Sequence, residues 1–111
     1  MTAGKDSGRR LWRLHTKTLI EAGIPVLFVE GRLDHAATGE LETAVRKHEP
    51  GSDGTVIIDL SGVDYLSSAA LTVFAAFAER QTQQGGRFVL RSPSVAARLA
   101  LDLAGLERLV G

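Results

Sequence analysis

No cysteine occurs in the 111 residues, so neither a disulfide nor a thiolate metal site can form. Neither sign of charge prevails: thirteen Lys and Arg residues balance thirteen Asp and Glu residues, and the formal net charge is zero. A nucleic-acid binder ordinarily carries a basic excess, so this class is not expected here. No apolar run approaches the roughly 20 residues of a membrane-spanning helix. Residues 1–10 lack the apolar stretch of a signal peptide, and a cytoplasmic location is the expectation. A Walker loop is missing, because Gly85-Gly86 is not followed by Lys-Ser or Lys-Thr, and no serine stands in a G-x-S-x-G elbow. His15, His35 and His48 are scattered, and Asp34-His35 is the one His–carboxylate neighbour pair. These residues call for no metal and no cofactor. A Ser–His–Asp triad would have to assemble in space, and nothing in the sequence favours one. The chain is not expected to be an enzyme.

What is present describes a small folded domain. The chain is 44% hydrophobic and 23% charged, within the range of soluble globular domains. Its length suits one domain with one modest core. No internal repeat or linker divides it. Residues 1–10 read as a flexible tail and residues 11–111 as a single domain.

Residues 11–20 read as a weak strand, with Trp12, Leu14 and Thr16 on one side and Arg13, His15 and Lys17 on the other. Glu21-Ala22-Gly23 signals a turn, and Pro25-Val26-Leu27-Phe28-Val29 a second strand. The short gap makes the two an antiparallel hairpin. Gly31-Arg32-Leu33-Asp34-His35 then reads as a loop. Thr38 is the expected cap of a helix to about His48, with Ala37, Leu41, Ala44 and Val45 inward. Pro50-Gly51-Ser52-Asp53-Gly54 ends it. Thr55-Val56-Ile57-Ile58 is short and β-branched, as in a buried strand. A helix with Ala70, Val73, Phe74, Phe77 and Ala78 at helical spacing follows and runs to about Gln84, where Gly85-Gly86 stops it. Arg87-Phe88-Val89-Leu90 is a fourth strand. Ser92 is the expected cap of a third helix with Pro93 at its first position, and Val95, Leu99 and Leu103 share one face of it. From the second strand onward, strand and helix alternate. That order predicts an α/β fold with parallel strand pairs and helical crossovers, and the hairpin makes the sheet mixed, with four to five strands.

The central stretch is Asp59-Leu60-Ser61-Gly62-Val63-Asp64-Tyr65-Leu66-Ser67-Ser68-Ala69. It reads as a polar turn between the buried strand and the second helix. Asp59 and Asp64 are expected to hydrogen-bond within that turn. Ser67 and Ser68 fall at a helix start, beyond the carboxyl end of a central strand, where open α/β sheets present working groups. One serine is expected to cap the helix. A phosphate on the other would meet free N–H groups and the positive end of the helix dipole.

The run from Val56 to Leu71 resembles the phosphorylation-site motif of STAS domains, the family of sulfate-transporter and anti-sigma factor antagonist domains. Val29-Glu30-Gly31-Arg32-Leu33-Asp34 is similar to the family's G-x-L-D turn. Gly85-Gly86-Arg87-Phe88-Val89-Leu90 and Leu103-Ala104-Gly105-Leu106 add matches downstream, in the same order from about Leu11 to the end. The resemblance implies a single domain with helices mainly on one face of the sheet. It implies an anti-sigma factor antagonist that binds an anti-sigma factor with serine kinase activity. Phosphorylation would end that binding and a phosphoserine phosphatase would restore it. The acceptor maps onto Ser68, directly before Ala69, with Ser67 as fallback and cap. Asp34, Asp64, Ser67, Ser68 and Ala69 form the implied partner-binding set. Two residues depart from the family pattern: Leu66 stands where many members have Asp, and Ala69 where many have Gly. The alternative is a STAS subunit of a lipid-transport or stress-signalling assembly that is never phosphorylated.

Overall fold

The computed structural model describes residues 14–111. Trp12, Arg13, the expected tail and the beginning of the first predicted strand lie outside these residues. Within them, β1 (His15–Glu21) and β2 (Ile24–Leu33) form the antiparallel hairpin. Ala22 and Gly23 both have positive φ, as a type I′ turn requires. Then come a 3-10 turn (His35–Ala37), α1 (Thr38–Lys47), β3 (Thr55–Leu66), α2 (Ser68–Gln83), β4 (Arg87–Arg91), α3 (Val95–Leu103) and a second 3-10 turn (Glu107–Leu109). The four strands stand in the order β1-β2-β3-β4, and the β2–β3 and β3–β4 pairs are parallel. This is the mixed sheet expected from the sequence, with four strands.

One face of the sheet carries the core. Leu27, Ile58 and Leu90 are cross-strand partners, and all are buried. With Val29, Val56, Leu60 and Phe88 they pack against Leu41 and Val45 of α1, Phe74 of α2 and Leu101 of α3. All three helices therefore cover the same face. The other face bears Phe28, Asp59 and Arg91. The Arg91 guanidinium lies 5.4 Å from the Phe28 ring centre, 3.0 Å from Asp59 and 2.7 Å from Glu21. At the opposite end of the sheet, the Arg87 N–H donates to the Gly54 carbonyl at 3.1 Å. A Cβ on Gly86 would overlap that carbonyl, so the close approach requires glycine.

Four expectations need correction. Gly31, Arg32 and Leu33 belong to β2 rather than to a loop, and residues 59–66 continue β3 rather than forming a turn. The cause is two bulges in β3. Phe28 faces Asp59 but Glu30 faces Gly62, and Gly31 faces Val63 but Arg32 faces Tyr65. Each bulge adds a residue, so the buried positions Leu60, Val63 and Leu66 recur every third residue. That spacing hides a strand whose signature is alternation. Thr38 does not cap α1. Its hydroxyl donates to the His35 carbonyl at 2.8 Å, while Asp34 caps the preceding 3-10 turn. Ser92 does not cap α3 either. It sits at φ 50°, and Ser94 is the cap, accepting from the Ala97 N–H at 3.1 Å. The Ser94 N–H reaches the Leu60 carbonyl at 3.3 Å, and its hydroxyl donates to the Val63 carbonyl. Those bonds to the bulged half of β3 fix where α3 begins. Val95, Leu99 and Leu103 share one face of α3, as expected; that face is the outer one, and Ala97 and Leu101 point inward.

Candidate functional site

The site is built where β2 and β3 end side by side. Leu33 and Leu66 are register partners, and the Ser67 N–H extends the ladder to the Leu33 carbonyl at 2.9 Å. Asp34 and Ser67 are therefore successive residues off adjacent parallel strands. Asp34 turns into the 3-10 segment, with its carboxylate accepting from the Ala37 N–H at 3.0 Å and lying 4.0 Å from Arg32 Nε. Arg32 itself lies over the Tyr65 ring, 4.5 Å from its centre. The fold thus joins Asp34 to the serine pair at one end of the sheet.

The two serines occupy different positions. Ser67 is buried in extended backbone, and its Oγ accepts from the Ala70 N–H at 3.2 Å. It is the N-cap of α2. Ser68 is the first helical residue and is exposed. No acidic residue stands in the first turn of α2, so nothing on that turn opposes a negative charge. Free N–H groups and the helix dipole favour one. Ala69 is half-buried beside Ser68, and Leu66 is buried in the core. The residue that replaces an acidic group thus serves packing. Asp64 is exposed in the second bulge of β3, outside the predicted turn hydrogen bonding.

Asp59 differs from the other acidic residues near this stretch. It is buried and accepts from the Ser61 N–H at 2.9 Å and the Ser61 hydroxyl at 2.6 Å. Burial pushes its carboxyl pKa up, but these bonds and the Arg91 guanidinium outweigh it, and the pKa lies below the ordinary carboxylate value. Asp59 is a structural anion on the open face of the sheet, apart from the serines. Sequence reading did not find the Ser94 link from α3 to β3, because two serines flank Pro93 and either satisfies a capping pattern.

A mixed four-stranded sheet covered on one face by three helices, with an exposed hydroxyl at the helix start after the central strand, defines a class of small one-sided α/β domains. The model of the family described as "Mlab, STAS domain" matches residues 20–111. The chain belongs to the STAS domain family. It is 31% identical over 86 residues to the anti-sigma-F factor antagonist RsfB of Mycobacterium tuberculosis, a match covering 78% of this chain and 70% of that protein. It superimposes on an anti-sigma factor antagonist from Mycobacterium paratuberculosis with a TM-score of 0.73 and 28% identity, covering 87% of this chain and 82% of that one. The unphosphorylated form of the anti-sigma factor antagonist SpoIIAA shares the fold, with a TM-score of 0.66 and 20% identity over 87% of this chain and 86% of that one. Among the described residues no helix is long and apolar enough to cross a membrane.

Proposed function

We propose that this protein is an anti-sigma factor antagonist whose docking is controlled by phosphorylation of Ser68. The observation that carries the reading is the division between the serines. Ser67 is committed to the helix cap, while Ser68 presents its hydroxyl to solvent one residue later. The likeness to RsfB supports the role as antagonist. The partner is an anti-sigma factor with serine kinase activity, and the contact surface includes Asp34, Asp64, Ser67, Ser68 and Ala69. The chain supplies no catalytic group. It is the substrate. The kinase uses ATP and Mg²⁺, the Ser68 oxygen takes the γ-phosphoryl group, its proton leaves, and ADP is released. A phosphatase hydrolyses the ester and resets the surface.

The physics of the switch is desolvation. Phosphate brings a charge of roughly −1.5 to −2. The helix start accommodates that charge in the free protein, so the fold survives. A partner that covers Ser68 without supplying cations would bury a dianion, at a cost of several kcal/mol. A penalty of roughly 3–4 kcal/mol weakens docking several-hundred-fold.

Incubation with candidate anti-sigma factor kinases and Mg·ATP, followed by mass spectrometry, tests the reading. Phosphate is expected on Ser68 and is abolished in Ser68→Ala. Phosphate confined to another residue would refute the assignment. Stable binding unaffected by Ser68→Asp would replace the switch with a constitutive subunit.

A further inference from the structure

The outer face of α3 has no counterpart in the proposed switch. Val95, Leu99 and Leu103 are 89%, 59% and 80% exposed on three successive turns. Together they present roughly 400 Å² of apolar surface, within the range of about 300–600 Å² for the largest patch on a typical monomer. Arg98 and Asp102 run along one edge of this stripe and pair with each other at 3.3 Å. Ala96 and Ala100 bound the other edge with small side chains.

We propose that this face pairs with the same face of a second copy of the chain, as an antiparallel, two-fold helix dimer. Symmetry and charge carry the argument. A two-fold axis perpendicular to two face-to-face antiparallel helices keeps like edges on the same side and reverses the direction of one. Leu99 then meets Leu99 of the second copy, and Val95 meets Leu103. On the charged edge each Arg98 comes beside Asp102 of the other copy, so two ion pairs within the copies become a four-charge lattice between them. A parallel pairing offers no such match, because the two-fold axis would place the charged edges on opposite sides. The alanine edge allows the helices to approach closely, and side chains at i, i+4 spacing form the ridges that pack in such crossings.

Size sets the strength. The two stripes bury about 800 Å², and their flanks bring the contact toward the ~1,200 Å² lower bound of specific interfaces. The dimer is therefore weak and reversible. It involves neither Ser68 nor Asp34, and it stands or falls independently of the phosphorylation reading.

Sedimentation equilibrium across about 1–500 µM tests the proposal. The wild-type chain is expected to show a monomer–dimer equilibrium. Leu99→Glu, at an exposed position, should keep its circular dichroism and weaken the dimer at least about 100-fold, since pairing would bury two uncompensated carboxylates. Charge reversal tests the antiparallel geometry. Arg98→Asp and Asp102→Arg should each weaken self-association, while a mixture of the two variants should form a heterodimer, because every cross-pair is then restored. A chain that stays monomeric over the whole range would overturn the proposal. A dimer indifferent to Leu99→Glu, or variants that fail to complement, would overturn it as well.

Discussion

At the scale of single residues, neighbouring side chains of the same type do unlike work. Ser67 and Ser68 are adjacent, yet one hydroxyl is buried against the Ala70 N–H and the other faces water. Ser67→Ala removes the acceptor for an N–H that has no intrahelical partner, and should cost about 1 kcal/mol. Ser68→Ala should change stability by less than about 0.5 kcal/mol. Urea denaturation of the two variants measures both, and equal losses would mean that the hydroxyls share the cap. His48 gives a second residue-scale prediction. It is buried at the carboxyl end of α1, and its Nε2 has no hydrogen-bond partner among the described residues. Burial lowers its pKa, against a backbone hydrogen bond with Pro25 and the Glu49 carboxylate, which act the other way. Arg46 and Arg80 line the same cleft. A lowered folded pKa means that the unfolded chain takes up the proton first. The stabilisation from neutral His48 is thus fully present above the unfolded value of about 6.5 and is lost as the pH falls through the lowered folded value. Unfolding free energy measured by urea at a series of pH values should decline below about pH 6.5 in the wild type. The decline should be shallower in His48→Asn.

At the scale of elements, α3 shows what periodicity can and cannot decide. Two apolar stripes wind around it, Val95-Leu99-Leu103 and Ala97-Leu101, both at i+4 spacing. A sequence pattern cannot rank them, and the larger side chains suggest the first as the inner one. The structure chooses the second, because Ser94 ties the helix start to the Leu60 and Val63 carbonyls and so fixes its rotation. Leu101→Ala should therefore cost about 2–5 kcal/mol, the price of a core cavity. Leu103→Ala should cost less than about 0.5 kcal/mol in dilute solution, where no second copy is bound. Thermal unfolding of the two variants well below micromolar concentration separates them, and a reversed order would mean that α3 is rotated by half a turn. The same lesson applies to β3. Its first four residues are legible as a buried strand, but the bulges shift the inward positions to every third residue, and local pattern then reads as a turn. The serine pair was legible despite this, because a helix start is signalled by the serines and the apolar period after them rather than by the strand before. Asp34 was legible only through the resemblance to STAS domains, since its place beside Ser67 depends on the β2–β3 register.

At the scale of the whole molecule, the sheet is stabilised unevenly. β3 is hydrogen-bonded on both sides, and its side chains fill the core beneath all three helices. Among the described residues β1 pairs with β2 alone, and every residue of β1 is exposed. Among the described residues, an ion pair from Glu21 to Arg91 at 2.7 Å ties the end of β1 to the far side of the sheet. Glu21 and Arg91 are both substantially solvated, and exposed ion pairs contribute only about 0–1 kcal/mol. That is too little to bind the opening of β1 to global unfolding. Opening β1 exposes few apolar groups, whereas opening β3 dismantles the core. Native-state hydrogen exchange should therefore resolve two classes of amide. Those of residues 56–60 should exchange only through global unfolding, and their opening free energy should equal the value from urea. The amides of β1 that bond to β2 should open at least about 2 kcal/mol more easily, through a local event that leaves the rest of the sheet intact. Equal protection in β1 and β3 would show that the hairpin and the core form one cooperative unit, with the ion pair across the open face far stronger than its exposure allows.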